Sequence, residues 1–330
     1  MSPAHLVRRA RTLAFRTTIL FVLVVGLVAA QPVDQEDAWG FDDLEEAEPT
    51  LIELAGDQAT DIALFLAFAA LAMVSFLRKS VPLKYLTLVV SVGYMGVYKG
   101  QLMSIVDVLR PLTGYVPIFS YSMTWYAFAA FTIVTTVLWG RVYCGRICAF
   151  GALTQLIDAI VPARFRFEVP KALEERASLI KYFILFGAIG YYLLTREITF
   201  YRYIEPFWLF TFEATTPLWI GLGILLVASI FVRNLYCRFL CPLGAALGLL
   251  SKLSIFRIKR WSECSTCALC EKVCEWGAIR NRQIIMTECV RCDDCERLYH
   301  NQQKCPHWLL ELKRRARARV GAAATGPRHH

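Results

Sequence analysis

The sequence predicts an all-α polytopic membrane protein with about six transmembrane helices, followed by a small cysteine-rich α+β domain. Of its 330 residues, 56% are hydrophobic and only 19% are charged, whereas a soluble domain is about a quarter charged. The apolar residues form long stretches, and most of the 12 cysteines lie in one segment near the C-terminus. This composition excludes a disordered chain and a secreted disulfide-stapled protein.

Six apolar stretches are long enough to cross, or nearly cross, a hydrocarbon core of ~30 Å. The first follows several arginines and ends in small residues, so residues 1–30 are either a cleaved signal peptide or a signal anchor. Residues 31–58 contain no Lys or Arg and form an acidic extracytoplasmic linker, and residues 59–255 form the membrane domain. The six stretches lie near residues 13–30, 60–77, 84–106, 121–140, 178–195 and 217–233.

Basic residues predict the orientation of these spans. The loops after the second and fourth spans are rich in Lys and Arg, whereas residues 107–120 and 196–216 contain few. By the positive-inside rule the basic loops are cytoplasmic, which also places everything after Arg233 on the cytoplasmic side of the inner membrane. The net charge of +9 is therefore mainly a topology signal, and no nucleic-acid partner is expected. The basic tail, residues 311–330, is expected to contact solvent or membrane lipid.

The strongest motif lies in residues 256–310. A C-x2-C-x2-C-x3-C run is followed by a C-x2-C-x2-C triplet and a single Cys-Pro, as in bacterial ferredoxins with two [4Fe–4S] clusters. Zinc is the alternative for paired cysteines, but zinc sites use two pairs rather than two triplets. The last spacing is widened to C-x9-C, so residues 296–304 are expected to loop out. Because each fourth cysteine ligates the other cluster, one predicted ligand set is Cys264, Cys267, Cys270 and Cys305, and the other is Cys289, Cys292, Cys295 and Cys274.

A second motif is an internal repeat. A tyrosine followed by C-x3-C and then Gly-Ala occurs twice, each time after an apolar span that enters the cytoplasm, so both copies lie on one membrane face. The spacing puts both thiols of a pair on one side of a helical turn, and two pairs together make a four-thiolate site for an additional Fe–S cluster or metal ion. The alternative is four buried apolar cysteines at helix ends. The cysteines of this motif are Cys144, Cys148, Cys237 and Cys241.

Negative observations narrow the cofactors. No histidine lies in a span and no C-x-x-C-H motif occurs, which excludes bis-histidine haem inside the bilayer and c-type haem attachment. The absence of G-x-G-x-x-G and P-loop motifs speaks against a dinucleotide domain or an ATP-driven step. His300 and His307 flank Cys305 and are expected near a cluster without ligating it. Ionisable residues near the outer span ends are candidates for binding a quinone, although aromatic neighbours also form ordinary interfacial belts. These candidates are Asp107, Arg110, Arg202, Glu205 and Glu213, beside Tyr201, Tyr203, Phe207 and Trp208.

The two C-x3-C copies followed by the two-cluster motif resemble the NosR/NapH-type membrane ferredoxins, and most closely their NosR/NirI branch. The stretch from Cys292 to Pro306 carries the widened spacing of that branch, and the resemblance covers about residues 60–310. Two features depart from the family. Cys148 is followed by Ala149 where the family has Cys-Pro, and the acidic linker stands in place of a periplasmic flavin-binding domain. Any flavin is therefore expected in a partner protein.

The resemblance implies a membrane electron-transfer subunit without catalytic side chains, because the clusters carry the chemistry. Electrons are expected to pass between cytoplasmic clusters, the C-x3-C site, and a quinone or an extracytoplasmic redox partner. Expected partners are a flavin protein, a cytochrome or a periplasmic reductase, and the enzymatic form of this role is a quinol dehydrogenase. The alternative is an assembly factor that handles copper or iron for a respiratory metalloenzyme. A redox sensor that signals through the basic tail is a third hypothesis.

Overall fold

A computed structural model describes residues 58–100, 102–109, 111, 123–167, 169–197, 199–212, 214–258, 267, 269–281 and 283–324. The expected signal segment and nearly all of the acidic linker lie outside the described residues, as do Arg110, Glu213 and Cys264.

The described chain is almost entirely helical. A π-helical segment, Val92–Tyr98, continues the helix Val81–Ser91, and another, Tyr236–Leu240, precedes the helix Pro242–Leu250. Strands β1 (Ile279–Arg280) and β2 (Gln283–Ile284) pair antiparallel. The helices are α1 (Ala59–Arg78), α2 (Val81–Ser91), α3 (Val106–Leu109), α4 (Met123–Trp139), α5 (Val142–Arg146), α6 (Ala149–Ile160), α7 (Lys171–Thr195), α8 (Tyr201–Ile204), α9 (Thr216–Phe231), α10 (Pro242–Leu250), α11 (Leu269–Val273), α12 (Asp294–His300) and α13 (Pro306–Ala324), with 3-10 turns at Ala163–Phe165, Pro206–Leu209 and Ser251–Leu253.

Three helical segments are long and apolar enough to cross a membrane: Ala59–Arg78, Val81–Tyr98 and Ala172–Thr195. Large apolar side chains on their outer faces are exposed, as expected where lipid is the solvent. The span predicted at 84–106 ends at Tyr98, because Gly100 adopts a positive φ of 58° and turns the chain. The spans predicted at 121–140 and 217–233 form helices α4 and α9 of 17 and 16 residues, somewhat short of the ~20 that a perpendicular span needs.

Two loops fold inward: residues 102–105, which end the span predicted at 84–106, and residues 199–212, which lie in the outer loop predicted at 196–216. The hydroxyl of Tyr143 accepts a hydrogen bond from the Met103 amide at 3.1 Å. The hydroxyl of Tyr236 donates to the Ile204 carbonyl at 3.1 Å. Both tyrosines precede a C-x3-C cysteine, so each copy of the repeat contacts one of these inward-folded loops. Hydropathy does not predict this packing, because an apolar loop and a span end read alike in the sequence.

One hydrophobic core joins the membrane helices to the C-terminal cysteine-rich segment. It contains the four C-x3-C cysteines together with Val290 and Cys292 from the ferredoxin motif. The chain also returns to the membrane helices at Phe256, whose amide donates to the Leu138 carbonyl at 2.7 Å. The cysteine-rich segment therefore packs directly on the membrane domain.

Candidate functional site

The two C-x3-C copies fold alike. In each copy a short helical turn carries the first cysteine, and the second cysteine caps the next helix, Cys148 at α6 and Cys241 at α10. Their backbone φ and ψ angles are −63° and 116° for Cys148 and −68° and 112° for Cys241. The amide of each donates to the carbonyl of the preceding motif tyrosine at 2.9 Å. The expectation of two thiols on one helical turn is corrected here, because the wide turn ends the first helix and the second cysteine begins a new one.

The repeat brings its four cysteines together. Each is buried, and the thiols of Cys144 and Cys148 lie within electrostatic reach of both Cys237 and Cys241. Burial raises the pKa of the Cys148 thiol to about 12, so a metal must displace its proton to bind there. The Gly244 amide donates to the Cys241 sulfur at 3.2 Å, a contact of the kind that tunes ligated thiolates.

A buried guanidinium lies beside these thiols. Arg141 is 1% exposed, its Nη2 lies 3.9 Å from the Cys144 sulfur, and its Nη1 donates to the Thr287 carbonyl at 2.9 Å. A Cβ added at Gly244 would lie 2.8 Å from Nη2, so the guanidinium reaches from the first copy to the second. By the positive-inside rule Arg141 belongs to the basic loop after the fourth predicted span. Its position three residues before Cys144 is the sequence feature that indicates a role at this site.

The second predicted ligand set is grouped around one small cavity, which is lined by Cys274, Cys289, Cys292 and Cys295. Burial raises the pKa of Cys289 to about 11 and that of Cys295 to about 12. The Ala278 amide donates to the Cys274 sulfur at 3.3 Å. Cys274 thus lies with the second triplet, which is the grouping that crossed ligation requires. Ligation itself stays a prediction.

The described members of the first set, Cys267, Cys270 and Cys305, line a cavity of about 530 Å³, which Cys295 of the second set also borders. Cys305 reaches this cavity because the insert forms helix α12 and then a turn, in which the Cys305 amide donates to the Asn301 carbonyl at 2.9 Å. The predicted looped-out insert is therefore corrected to a helix followed by a turn.

His300 and His307 also line the 530 Å³ cavity. His307 stacks on Tyr299 with 5.6 Å between ring centroids, and His300 is mostly exposed. Within the ranges that the structure describes, no three His, Cys, Asp or Glu side chains form the ligand shell of a single metal ion. No disulfide joins any of the 11 described cysteines.

A buried ion pair clamps the ferredoxin motif to the first C-x3-C turn. Arg146, between Cys144 and Cys148, donates to the Asp293 carboxylate at 2.9 Å, and the two side chains are 1% and 0% exposed. The adjacent Gly145 lies so close to the Val290 carbonyl that an added Cβ would overlap it. The loop carrying the second cysteine triplet is therefore held directly against the turn carrying Cys144.

Three further ion pairs join the membrane helices to the same segment. Lys84 lies 3.1 Å from Asp294, Lys79 pairs with Glu296, and Lys181 pairs with Glu288. These bases, like Arg146, belong to the positive charges that predict the topology. They also anchor the ferredoxin motif, and their partners are acids next to its cysteines.

Among the quinone candidates that the structure describes, Glu205 alone has a fully buried carboxylate. It accepts hydrogen bonds from the Ile105 amide at 2.9 Å and from the Ser104 hydroxyl at 2.5 Å. Burial raises its pKa to about 8, although both hydrogen bonds oppose that shift. Glu205 is thus held in a dry environment between the two loops.

The other quinone candidates are dispersed. Asp107 accepts from the Trp125 indole at 3.1 Å, Phe207 packs on Phe150 in the core, and Tyr201 and Arg202 lie in α8. Tyr203 and Trp208 line a mainly apolar cavity of about 630 Å³ between α7 and α9. Tyr236 and Leu240, the sequence neighbours of Cys237 and Cys241, line the same cavity.

Comparisons with known proteins agree with these motifs. A family model described as a 4Fe-4S binding domain matches residues 121–168 and 214–260, each of which contains one C-x3-C copy. A second family model, described as NosR, matches residues 262–316. No solved structure matches the chain.

Similar curated proteins include NosR and NirI sequences. Regulatory protein NosR of Pseudomonas aeruginosa PAO1 is 38% identical over 209 residues, which are 57% of this chain and 28% of that protein. Protein NirI of Paracoccus denitrificans is 37% identical over 201 residues, 58% of this chain and 28% of NirI. A shorter NosR sequence of P. aeruginosa is 45% identical over 84 residues, 24% of this chain and 84% of its own length. The chain spans under a third of the two longer relatives, but its motifs and these matches show that it belongs to the NosR/NirI family of membrane iron–sulfur proteins.

Proposed function

We propose that this iron–sulfur electron-transfer protein passes electrons between two cytoplasmic [4Fe–4S] clusters, a third centre at the C-x3-C cysteines, and a quinone or an extracytoplasmic redox partner. The observation that carries the proposal is the direct packing of the second cysteine triplet on the first C-x3-C turn. Arg146 and Asp293 form the buried ion pair at this contact. Two redox centres held in this way would be neighbours, because the loops that carry their ligands are in direct contact.

The donor sets fit iron–sulfur clusters, because their described members are soft thiols in buried or half-buried positions. When bound, such clusters supply one-electron redox chemistry at potentials set by charge, hydrogen bonds and solvent exposure. The chain supplies amide donors to the sulfurs of Cys241 and Cys274 and packs apolar side chains around the thiols. The proposed ligands are Cys264, Cys267, Cys270 and Cys305 for one cluster, Cys274, Cys289, Cys292 and Cys295 for the second, and Cys144, Cys148, Cys237 and Cys241 for the third centre.

The proposed topology has six spans in the inner membrane, with the ferredoxin motif in the cytoplasm. It is supported by the ion pairs of Lys79, Lys84 and Arg146 with the ferredoxin motif. These bases stand at the helix ends that the positive-inside rule assigns to the cytoplasm. A partner protein would then meet the opposite side of the membrane, where the inward loops lie.

A quinone is proposed to enter the apolar cavity between α7 and α9. Its volume of about 630 Å³ is within the range typical of cofactor pockets. Tyr236 and Leu240 form part of its wall, and they directly precede Cys237 and Cys241 in the sequence. Oxidation of a quinol there releases two electrons and two protons, and the electrons would leave one at a time.

Electron flow through the third centre is tested by replacing Cys148 and Cys241 together with serine. The double variant, in anaerobic proteoliposomes, is expected to lose electron flow across the membrane while keeping the EPR signals of both ferredoxin clusters. Unchanged flow would refute a role for the repeat in electron transfer. Copper in place of iron at these cysteines would instead favour the metal-handling alternative.

Crossed ligation has a separate test. Cys274→Ser and Cys292→Ser are expected to alter the same EPR signal, although 17 residues separate these cysteines in the chain. Cys305→Ser is expected to alter the other signal. If Cys274→Ser instead affects the signal that Cys305→Ser affects, the ligand sets are wrong.

The quinone cavity offers a matched pair of glycines on α9. Gly221 lines the cavity and Gly223 does not, and an added Cβ meets nothing within 4 Å at either. Gly221→Leu is expected to slow reduction by a short-chain quinol at least several-fold, with dithionite reduction unchanged, whereas Gly223→Leu leaves both rates near wild type. Equal effects of the two variants would refute this position for the quinone.

A further inference from the structure

The guanidinium of Arg141 is buried without a carboxylate partner. It is 1% exposed, and it forms no ion pair with Asp or Glu in the described part of the chain. The nearby acid, Glu288, is paired with Lys181. The Arg141 Nη1 donates to the Thr287 carbonyl, whereas its Nε atom has no hydrogen-bond partner among the described residues.

A buried cation of this kind is strongly disfavoured unless negative charge lies close to it. The groups within electrostatic reach of Arg141 include Cys144 and Cys241, one from each copy of the repeat, and Glu288, whose charge is already balanced by Lys181. Neutral thiols do not balance the charge, but ligated thiolates do. The local charges therefore balance when these cysteines hold a metal centre.

We propose that Arg141 is a positioning residue of the C-x3-C centre, neutralising the thiolates of both copies and tying the centre to the ferredoxin motif. The tie is the hydrogen bond to the carbonyl of Thr287, two residues before Cys289. This inference rests on the proposed function, because it requires a redox centre at the four cysteines.

The repeat is asymmetric at this position, which makes the role specific to Arg141. The equivalent residue of the second copy is Asn234, which is 1% exposed. Neither atom of its side-chain amide has a hydrogen-bond partner among the described residues. Arg238, beside Cys237 in the sequence, pairs with Glu174 instead. The first copy therefore supplies the cation that faces the joined pairs.

Reduction by one electron adds one negative charge to the centre. A fixed cation beside the centre attracts that charge and therefore favours the reduced form. Removing the charge is therefore expected to lower the midpoint potential of the C-x3-C centre. The cysteines of the two ferredoxin sets are not among the main electrostatic neighbours of Arg141, so the potentials of those clusters are expected to shift less.

The test is an EPR-monitored redox titration of the full chain, purified anaerobically in detergent, as wild type and as the Arg141→Gln, Arg141→Lys and Asn234→Gly variants. Asn234→Gly is the control, because Asn234 has a φ of 50° that glycine adopts freely. Arg141→Gln is expected to lower the potential of the C-x3-C centre. Arg141→Lys and Asn234→Gly are expected to stay near wild type.

An unchanged potential in Arg141→Gln, or an equal shift in Asn234→Gly, would overturn the inference. If Arg141→Gln does not retain the centre, Arg141→Lys decides: a retained centre supports the role of the charge, and its loss overturns it. A wild-type protein whose iron is accounted for by the ferredoxin clusters alone would refute the third centre of the proposed function as well. The iron content of the wild type therefore separates the two failures.

Discussion

The Arg146–Asp293 pair, if it clamps the ferredoxin loop to the C-x3-C turn, should dominate the local stability of that loop. Arg146→Met leaves the Asp293 carboxylate buried without its partner, and Asp293→Asn leaves the guanidinium unpaired. Asparagine suits this position, because Asp293 has a positive φ of 66° and asparagine tolerates that conformation. The double variant removes both charges at once.

The expected magnitude follows from burial. With side chains 1% and 0% exposed, the pair is in the regime where losing one partner costs about 3–5 kcal/mol. Arg146→Met also loses the hydrogen bond to the Ser75 hydroxyl at 2.6 Å, worth about 1 kcal/mol. The double variant leaves no unpaired charge, so its cost should be close to that of one single variant and well below the sum.

Hydrogen exchange of residues 286–300, followed by mass spectrometry in nanodiscs, measures this local opening free energy. Each single variant is expected to exchange about 10²- to 10⁴-fold faster than wild type, since every 1.4 kcal/mol is tenfold. Arg315→Met is the control. It breaks an exposed pair with Glu311, where the side chains are 65% and 28% exposed, and should cost under about 1 kcal/mol. The clamp would be refuted if the costs of the two single variants simply added up in the double variant. It would also be refuted if the single variants exchanged at the same rate as the Arg315→Met control.

Two further predictions use buried positions. Gly145→Val should displace the Val290 carbonyl and weaken the magnetic interaction between neighbouring reduced centres in EPR, whereas Gly187→Ala, with nothing within 4 Å of its added Cβ, should not; an undisturbed interaction in Gly145→Val would contradict the close packing. Glu205 has its pKa raised from 4.5 to about 8 by burial, so its stabilising effect is present below pH 4.5 and is lost as the pH rises through 8. Thermal unfolding in detergent should therefore show wild type losing more stability than Glu205→Gln between pH 5 and 9, and parallel curves would contradict a buried Glu205.

The cysteine groupings were predictable because ligand spacing is a local property of the chain. Cys274 lies with Cys289 and Cys292, as the crossed ferredoxin pattern requires. The similarity of the two C-x3-C turns could also be predicted from the sequence, because the same Tyr and Gly-Ala residues flank both copies. Hydropathy predicted the long helices α1 and α7 for the same reason, because a span is a continuous apolar run.

The contacts between distant segments were not predictable in this way. Arg146 and Asp293 are far apart in the sequence, and the positive-inside rule explains the presence of an arginine without indicating its partner. The inward packing of Ile105, which is fully buried, was hidden because hydropathy does not distinguish a core residue from a lipid-facing one. The widened spacing also does not indicate that the insert begins within a helix, which starts at Asp294.

The C-x3-C repeat is proposed to hold a third iron–sulfur centre beside the two ferredoxin clusters. The most direct measurement is the iron and acid-labile sulfide content per chain of the anaerobically purified protein, with and without Cys148 and Cys241. We expect about 12 irons in wild type and about eight in the Cys148→Ser, Cys241→Ser double variant. About eight irons in both proteins would contradict this expectation.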